Sequence, residues 1–296
     1  MKVDITIEDN VIVFGSGTIA ANCVKFLRNT IRGNIYVFEK KQNAISVLKK
    51  QISELPAVYY RPVDENITEI VNNLKSKIIF SINNIYIFNK YLIDEHLIIN
   101  YHNSLLPKHP GRFAEAWAIF EEEKKTGITW HIVVPKVDKG KIILQKDIEF
   151  PPHGLSALAL LSLQTKLAYQ SFTDIVTAIY EKGEIINFEN PVPVNESVKF
   201  HYSWEKPNNG YLNLNWNLHK TMAFLQAMDY GPLKMLGEPK LKYDDDIYTW
   251  DRYKICAAVS TAEGISMYEE NKIITISKEN GLIKLLNVRK IQKESG

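Results

Sequence analysis

A sequence of 296 residues, 45% of them hydrophobic, suffices for one large or two modest domains with cores of their own. Lys+Arg 36 against Asp+Glu 34 leaves a net charge of +2, which gives no electrostatic footprint for a polyanion and points away from nucleic acid toward a small-molecule partner. No apolar run reaches the roughly 18 residues of a membrane span, the charged start Met1-Lys2-Val3-Asp4 lacks an apolar secretion segment, and Cys23 and Cys256 lie too far apart for a metal-ligand pair, so the expectation is a cytoplasmic protein with reduced thiols and no bound metal.

Val11 to Phe14 is a short apolar run that ends at Gly15-Ser16-Gly17. Thr18 to Asn29 then carries Ile19, Cys23, Phe26 and Leu27 at helical spacing, which puts Cys23 in a core. Strand-like runs follow at Ile35–Phe38, Ala57–Tyr60, Ile78–Ile82 and Leu97–Tyr101. Between them Ile45, Leu48 and Ile52, and then Ile67, Ile70, Val71 and Leu74, fit helices. Strand and helix alternating at this rhythm predict parallel βαβ units, an α/β fold with a Rossmann-like, mostly parallel sheet and helices on both faces.

Ala114 to Glu123 reads as a helix that packs Ala116, Trp117 and Phe120, with the charge run Glu121 to Lys125 on its solvated face. Thr129–Val134 and Ile142–Phe150 read as paired strands with Asp138 in the loop between, and Leu155–Tyr180 as a long amphipathic helix. Asn187 to Trp204, rich in Pro and Asn, reads as a linker, which places one domain at 1–190 and a second at 205–296. In the second, Leu218–Met228 is helical, strands fall at Ala257–Ser260, Lys272–Ser277 and Leu282–Arg289, and Asn280-Gly281 signals a hairpin. A small β-rich, barrel-like domain is the expectation.

Two motifs compete for the chemistry. Gly15-Ser16-Gly17-Thr18-Ile19-Ala20 matches Gly-x-Gly-x-x-Ala after a strand and before a helix, and Glu39 ends the next strand. That pattern is a dinucleotide fingerprint, which would make the protein an NAD(P)-dependent oxidoreductase, or else a close-packed first turn with no ligand. The other motif is Asn100-Tyr101-His102 at the end of a strand, followed by Ser104 to Pro107 and, later, by Asp138. Residues two apart on a strand share a face. Asn100 and His102 would project together at the carboxyl edge of the sheet, where ligands bind in open α/β folds. An amide beside an imidazole can hold an oxygen that gains negative charge, and a carboxylate keeps the imidazole oriented and protonated. This set has a role in acyl transfer and none in hydride transfer.

The order Asn-x-His, Ser-Leu-Leu-Pro, Thr-Gly-Ile-Thr and Asp-x-Gly stands here as Asn100 and His102, Ser104 to Pro107, Thr126 to Thr129, and Asp138-Lys139-Gly140. In it the chain resembles the folate-dependent formyltransferases, which include glycinamide ribonucleotide formyltransferase, methionyl-tRNA formyltransferase and the sugar N-formyltransferases. Weaker similarity runs through the N-terminal half. The tail past residue 205 faintly resembles the small C-terminal domain of the tRNA and aminoarabinose members. After the Leu-Leu-Pro turn the tRNA enzyme reads Arg-Gly-Ala-Ala-Pro-Ile, whereas this chain reads His109-Pro110-Gly111-Arg112-Phe113-Ala114-Glu115-Ala116-Trp117. That segment lines the acceptor side in relatives, so the departure implies an amino-acid or amino-sugar acceptor and not initiator tRNA.

The resemblance implies 10-formyltetrahydrofolate as donor and no metal, with the pterin against Asn84, Ile85, Tyr86, Ile87 and Phe88. Asn89 stands where relatives carry Pro. It implies Asn100 and His102 as donors to the reacting oxygen and Asp138 as partner of His102 and acceptor of the amine proton. Arg112 and Glu115 are candidate acceptor contacts, with surface charges at a helix start as the alternative. Without the register, Trp130 and His131 face the site or turn away from it. Asp229-Tyr230-Gly231-Pro232 and Pro239-Lys240-Leu241 resemble segments of biosynthetic formyltransferases. The C-terminal region would then shape the pocket for a sugar-nucleotide or carrier-linked amine, or pair two copies as a homodimer, with simple interdomain packing as the alternative. The intact Asn100, His102 and Asp138 set argues against an inactive binding module.

Overall fold

The structure, a computed structural model, describes residues 2–40, 46–185, 198–257, 264–268, 272–279 and 281–291. The chain divides into two compact units. The first comprises Met1–Gly111, Gly127–Ile148 and Leu163–Phe200. Its strands are β1 (Val11–Gly15), β2 (Ile35–Glu39), β3 (Val58–Pro62), β4 (Ile78–Ile82), β5 (Leu97–His102), β6 (Lys125–Ile132) and β7 (Ile142–Glu149). They form one sheet in the order β3-β2-β1-β4-β5-β6-β7. The pairs from β3 to β5 are parallel, and β6 runs antiparallel to β5. The crossovers are α1 (Gly17–Thr30), α2 (Val47–Ile52), α3 (Ile67–Asn73) and α4 (Lys90–Glu95), and α6 (Ala157–Lys182) follows β7 after α5 (Ala114–Phe120).

The central strands are apolar throughout because both faces of the sheet are covered. Every residue of β1 and β4 is buried. Val11 and Val13 face a core built with Ile19, Val24 and Leu27 of α1 and Phe172, Ile175 and Ile179 of α6. Ile12 and Phe14 face the opposite core with Ile67 and Val71 of α3, Leu92 of α4 and Phe88. Cys23 belongs to the first core, and burial pushes its thiol up, far from the thiolate form that reacts. The sequence reading missed only the short α4 in this unit, whose single turn and a half carries too little periodicity to stand out. Asn89 begins it, its Oδ1 accepting the Leu92 N–H at 3.0 Å, a helix start that the sequence pattern accommodates without Pro.

The second unit comprises Arg112–Thr126, Glu149–Ser162 and His201–Gly296. It therefore draws two segments from within 1–190, and the reason is packing. α5 lies against α7 (Leu218–Met228), with Phe120 5.7 Å from Trp216 and 6.4 Å from Phe224 between ring centroids. In the charge run, Glu121, Glu122 and Lys124 are not buried in the α5 core, as expected, but they lie in a turn beyond α5 and not on its helical face. The small strands are β8 (Tyr211–Leu212), β9 (Lys240–Tyr243), β10 (Asp246–Thr249), β11 (Arg252–Ala257), β12 (Gly264–Tyr268), β13 (Ile273–Lys278), β14 (Gly281–Leu286) and β15 (Arg289–Ile291). Among the described residues they make two four-stranded sheets, β15-β10-β9-β8 and β11-β14-β13-β12. Asn217 caps α7, its side chain accepting the Lys220 N–H, and the helix bounds match the expected Leu218–Met228. The β13–β14 hairpin is present; Asn280 of its turn, residues 258–260 of an expected strand, and 187–197 of the expected linker lie outside the described residues.

The order β2-β1-β4 reverses direction between β1 and β4, the usual position of a ligand crevice. Here Ser16 Oγ donates to the Asn83 carbonyl at 2.6 Å, and Asn83 Nδ2 donates back to the Ser16 carbonyl at 3.3 Å, tying the two loops together. A Cβ on Gly15 would lie 2.7 Å from the Ala20 Cβ and 2.8 Å from the Ile82 carbonyl oxygen, so close packing alone requires glycine there. Gly15→Ala is expected to cost about 1–3 kcal/mol through overpacking. A urea titration of the two proteins measures it, and an unchanged midpoint would contradict the packing role.

Candidate active site

Strand pairing settles the parity that sequence leaves open. Asn100 lies opposite His131, Tyr101 opposite Trp130, and His102 opposite Thr129. Directly opposed residues share a face of an antiparallel pair. Tyr101 and Trp130 turn into the α1/α6 core, their rings 5.5 Å apart. Asn100, His102 and His131 project together from the other face, at the carboxyl end of β5.

Asp138 joins them from the β6–β7 loop, where it adopts a left-handed backbone at φ 55°. Its carboxylate lies 3.7 Å from His102 Nδ1 and 3.5 Å from His131 Nε2, and it accepts the Gly111 N–H at 2.8 Å. Gly140 gives this loop its path. A Cβ there would fall 1.5 Å from the Ile132 carbonyl oxygen, so only glycine fits two residues after Asp138. Burial pushes the Asp138 carboxyl up, but its partners, the His102 ring foremost, outweigh it and hold the group well below the usual carboxylate range. It is ionised at any working pH.

The remaining polar contacts fix the rings. His102 Nε2 donates to the His109 carbonyl at 3.0 Å. His131 Nδ1 donates to the Ile132 carbonyl at 3.1 Å, and Asn100 Nδ2 stands 3.0 Å from His131 Nε2. The loop after β5 is held just as closely. Thr129 Oγ1 donates to the Ser104 carbonyl at 2.6 Å and accepts the Leu106 N–H at 3.1 Å. Gln145 Nε2 donates to Leu106 O at 2.8 Å, and Gln164 Nε2 to Asn103 O at 2.8 Å. The sequence reading gave no part to Gln145 or Gln164. They come from β7 and α6, far along the chain, and only the fold brings them to the turn.

The predicted donor segment divides into two faces. Tyr86 stacks on Phe14 at 5.1 Å and Phe88 is 8% exposed in the α3/α4 core, while Ile85 and Ile87 stand 39% and 68% exposed. Asn84 shapes the turn, its Oδ1 accepting the Tyr86 N–H at 2.9 Å and its Nδ2 donating to Ser81 Oγ at 3.1 Å. Arg112 and Glu115 belong to the second unit. The Arg112 N–H donates to the His201 carbonyl at 2.8 Å, and its guanidinium lies 5.4 Å from the Phe113 ring centre. Glu115 is buried and accepts the Tyr230 hydroxyl at 2.7 Å, so it is not the exposed charge of the alternative reading. Burial and then the Glu115 carboxylate push the Tyr230 hydroxyl up, which keeps it a neutral donor. Glu39, the acid of the dinucleotide fingerprint, is buried with both Ser46 Oγ and Tyr60 Oη donating to its Oε2.

Because the folded Asp138 carboxyl titrates below a free one, its ionised form contributes stability that is fully present above about pH 4 and is lost as pH falls toward its folded value. Asp138→Asn is expected to remove that part of the acid slope. Urea midpoints measured at about pH 6 and about pH 3 test it, and equal acid sensitivity in the two proteins would speak against the charge assignment.

A family model described as formyl transferase matches residues 10–162, just over half of the 296-residue chain. Among curated proteins, the bifunctional polymyxin resistance protein ArnA of Wigglesworthia glossinidia brevipalpis is 25% identical over 264 residues, covering 84% of this chain and 38% of its own. A methionyl-tRNA formyltransferase of Alkaliphilus oremlandii is 30% identical over 152 residues, covering 47% of this chain and 49% of its own. The chain therefore spans less than half the length of either relative. Among solved structures, an N-formyltransferase from Helicobacter canadensis, in complex with folinic acid and dTDP-3-aminofucose, matches with a TM-score of 0.72 at 16% identity, over 94% of this chain and 99% of its own. That likeness is one of fold. By the match of the family model to residues carrying the Asn100, His102 and Asp138 cluster, the chain belongs to the formyl transferase family.

Proposed function

We propose that the protein is an N-formyltransferase that moves the formyl group of 10-formyltetrahydrofolate onto an amine of a small metabolite, an amino sugar carried on a nucleotide or an amino acid. The observation that carries this reading is the convergence of Asn100, His102 and Asp138 at the carboxyl end of β5, around a carboxylate that stays ionised. The Helicobacter canadensis neighbour, with its folinic acid and amino-sugar nucleotide, supports the choice of donor and acceptor class. The donor segment fits an aromatic ring system, since Ile85 and Ile87 offer exposed apolar surface on a turn anchored by Tyr86, Phe88 and Asn84.

The folate supplies an activated formyl carbon, and the protein supplies orientation and charge. Asn100 donates to the formyl oxygen as it turns negative under attack by the amine, and protonated His102 does so through Nε2, which exchanges the His109 carbonyl for the substrate oxygen. Asp138 balances the charge of His102 and takes the amine proton, directly or through a water; as the tetrahedral centre collapses, the bond from the formyl carbon to the folate nitrogen breaks and that nitrogen takes up the proton. Asp138 is already ionised, so the proton that must be lost before attack is the amine's own. The composition, with its net charge of +2, and the His109–Trp117 segment weigh against a tRNA acceptor. Glu39, paired with Tyr60 and Ser46, weighs against the dinucleotide reading.

Asn100→Ala, His102→Ala and Asp138→Ala are each expected to lower formyl transfer about a hundredfold or more, with the far-UV spectrum retained. The assay is a panel of amines and amino-sugar nucleotides with 10-formyltetrahydrofolate, read by mass spectrometry for the gain of one formyl group. Near-normal turnover by His102→Ala would refute the assignment. The kcat/KM of the wild-type enzyme is expected to rise with pH up to the pKa of the free amine, with no second break in the carboxylate range. Tryptophan-fluorescence titration separates the alternatives: a reduced folate should saturate the signal, and NAD or NADP saturating it in its place would restore the oxidoreductase reading.

A further inference from the structure

His131 is the one member of the buried cluster without a part in the scheme above. It is 2% exposed and touches three groups. Its Nδ1 lies 3.1 Å from the Ile132 carbonyl oxygen, which can only accept, so Nδ1 carries a hydrogen. Its Nε2 lies 3.0 Å from Asn100 Nδ2 and 3.5 Å from Asp138 Oδ1. In the neutral Nδ1–H form, Nε2 has a lone pair to offer, and the Asn100 amide is the neighbour able to donate to it. That bond uses one of the two amide hydrogens. The other lies over the Tyr101 carbonyl at 3.2 Å, the longer of the two contacts, and it is the hydrogen that a substrate oxygen would share.

We infer that His131 is the positioning residue of Asn100: by accepting one amide hydrogen through Nε2, it fixes the plane of the carboxamide and thereby the direction in which the second hydrogen is presented to the reacting oxygen. The geometry explains why the bond is made across the strands. Asn100 and His131 are directly opposed on β5 and β6, and the Ile132 carbonyl that sets the tautomer is on the chain next to the ring. A free carboxamide rotates about its last torsion over a broad well. One buried bond removes that freedom, and a misplacement of about 1 Å at a reacting group costs on the order of a hundredfold in rate. The inference rests on the reading of Asn100 as the amide that meets the formyl oxygen.

The substitutions that test it follow from the shape of the ring. In His131→Gln the new amide oxygen reaches the place of Nε2, and in His131→Asn it stops near that of Nδ1. The first therefore keeps the acceptor for Asn100 and the second does not. With an amine from the panel above, His131→Ala and His131→Asn are expected to lose about tenfold to a hundredfold in kcat with KM changed less than about threefold, and His131→Gln to recover most of it. In an Asn100→Ala background, His131→Ala should add no further loss. A readout that needs no substrate is the tautomer. Long-range 1H–15N spectra should show His131 as the Nδ1–H form in the wild-type protein, with its Nε2 shift moved by Asn100→Ala.

Three results would overturn the inference: His131 in the Nε2–H form, equal rescue by the glutamine and asparagine variants, or additive losses in the double variant. Should His131→Ala fail to fold, the other two variants and the wild-type spectrum still decide. An active Asn100→Ala protein removes the reading of the site itself. An inactive Asn100→Ala protein beside a fully active His131→Ala protein removes the positioning role alone.

Discussion

One buried negative charge organises the carboxyl edge of this sheet. The Asp138 side chain is 8% exposed, and taking a carboxylate out of water costs several kcal/mol unless partners replace its hydration. The His102 ring on β5 and the Gly111 amide in the loop after β5 do, and the His131 ring on β6 closes the third side. Each comes from a different segment, so the charge is satisfied only when all three are in place. The constraint reaches back into the sheet. A slip of one residue between β5 and β6 would carry His131 into the apolar core and bring Trp130, which donates its indole N–H to Ser171 Oγ at 2.9 Å, out to the site. The register that fills the core and the register that solvates Asp138 are the same.

The depressed carboxyl has a consequence for acid–base work. A group held well below the ordinary range is a weak base and keeps a proton only briefly. That suits a relay and not a store. An amine that has begun to bond to a carbonyl carbon is far more acidic than the free amine, so a weak base suffices to take its proton, and the same weakness hands the proton on. Meanwhile the charge itself is constant, which is what an imidazole needs if it is to stay a hydrogen-bond donor while an oxygen beside it turns negative. Orientation and proton transfer ask different things of Asp138, and a low affinity for protons serves both.

The parts of this molecule written locally in the chain were legible. Alternating apolar runs gave the βαβ order. The Asn-x-His spacing gave a shared face because a strand repeats every two residues, and Leu218–Met228 announced its helix through its own spacing. What depends on pairing across the chain was not legible. The face of His131 followed from its register with Asn100, which no local pattern encodes. Gln145 and Gln164 reach the 103–106 turn only after β7 and α6 are in place. Glu115 read as a candidate acceptor contact or a helix-start surface charge, and only Tyr230, 115 residues on, shows it to be a buried acceptor. The two small sheets of the second unit are defined by which edges pair, and short alternating strands say which side faces inward without saying which neighbour they take.

The glycine-rich first turn shows how a strong local signal and a weak one can trade places once geometry is known. Gly15 and Gly17 satisfy the spacing of a phosphate-binding turn, but each has a reason that involves no ligand. Gly15 packs against Ala20 and the Ile82 carbonyl, and Gly17 takes φ 70° where the chain enters α1. The acid that would complete such a site, Glu39, is already held by Tyr60 and Ser46. The crossing point between β1 and β4 is spanned by the Ser16–Asn83 hydrogen bonds, and the groups suited to chemistry stand one strand further along, on β5. The same sheet edge thus separates two tasks that a dinucleotide-binding fold combines. The first turn secures the packing of α1 on the sheet, and the next strand boundary, where parallel β5 meets antiparallel β6, gathers the charge.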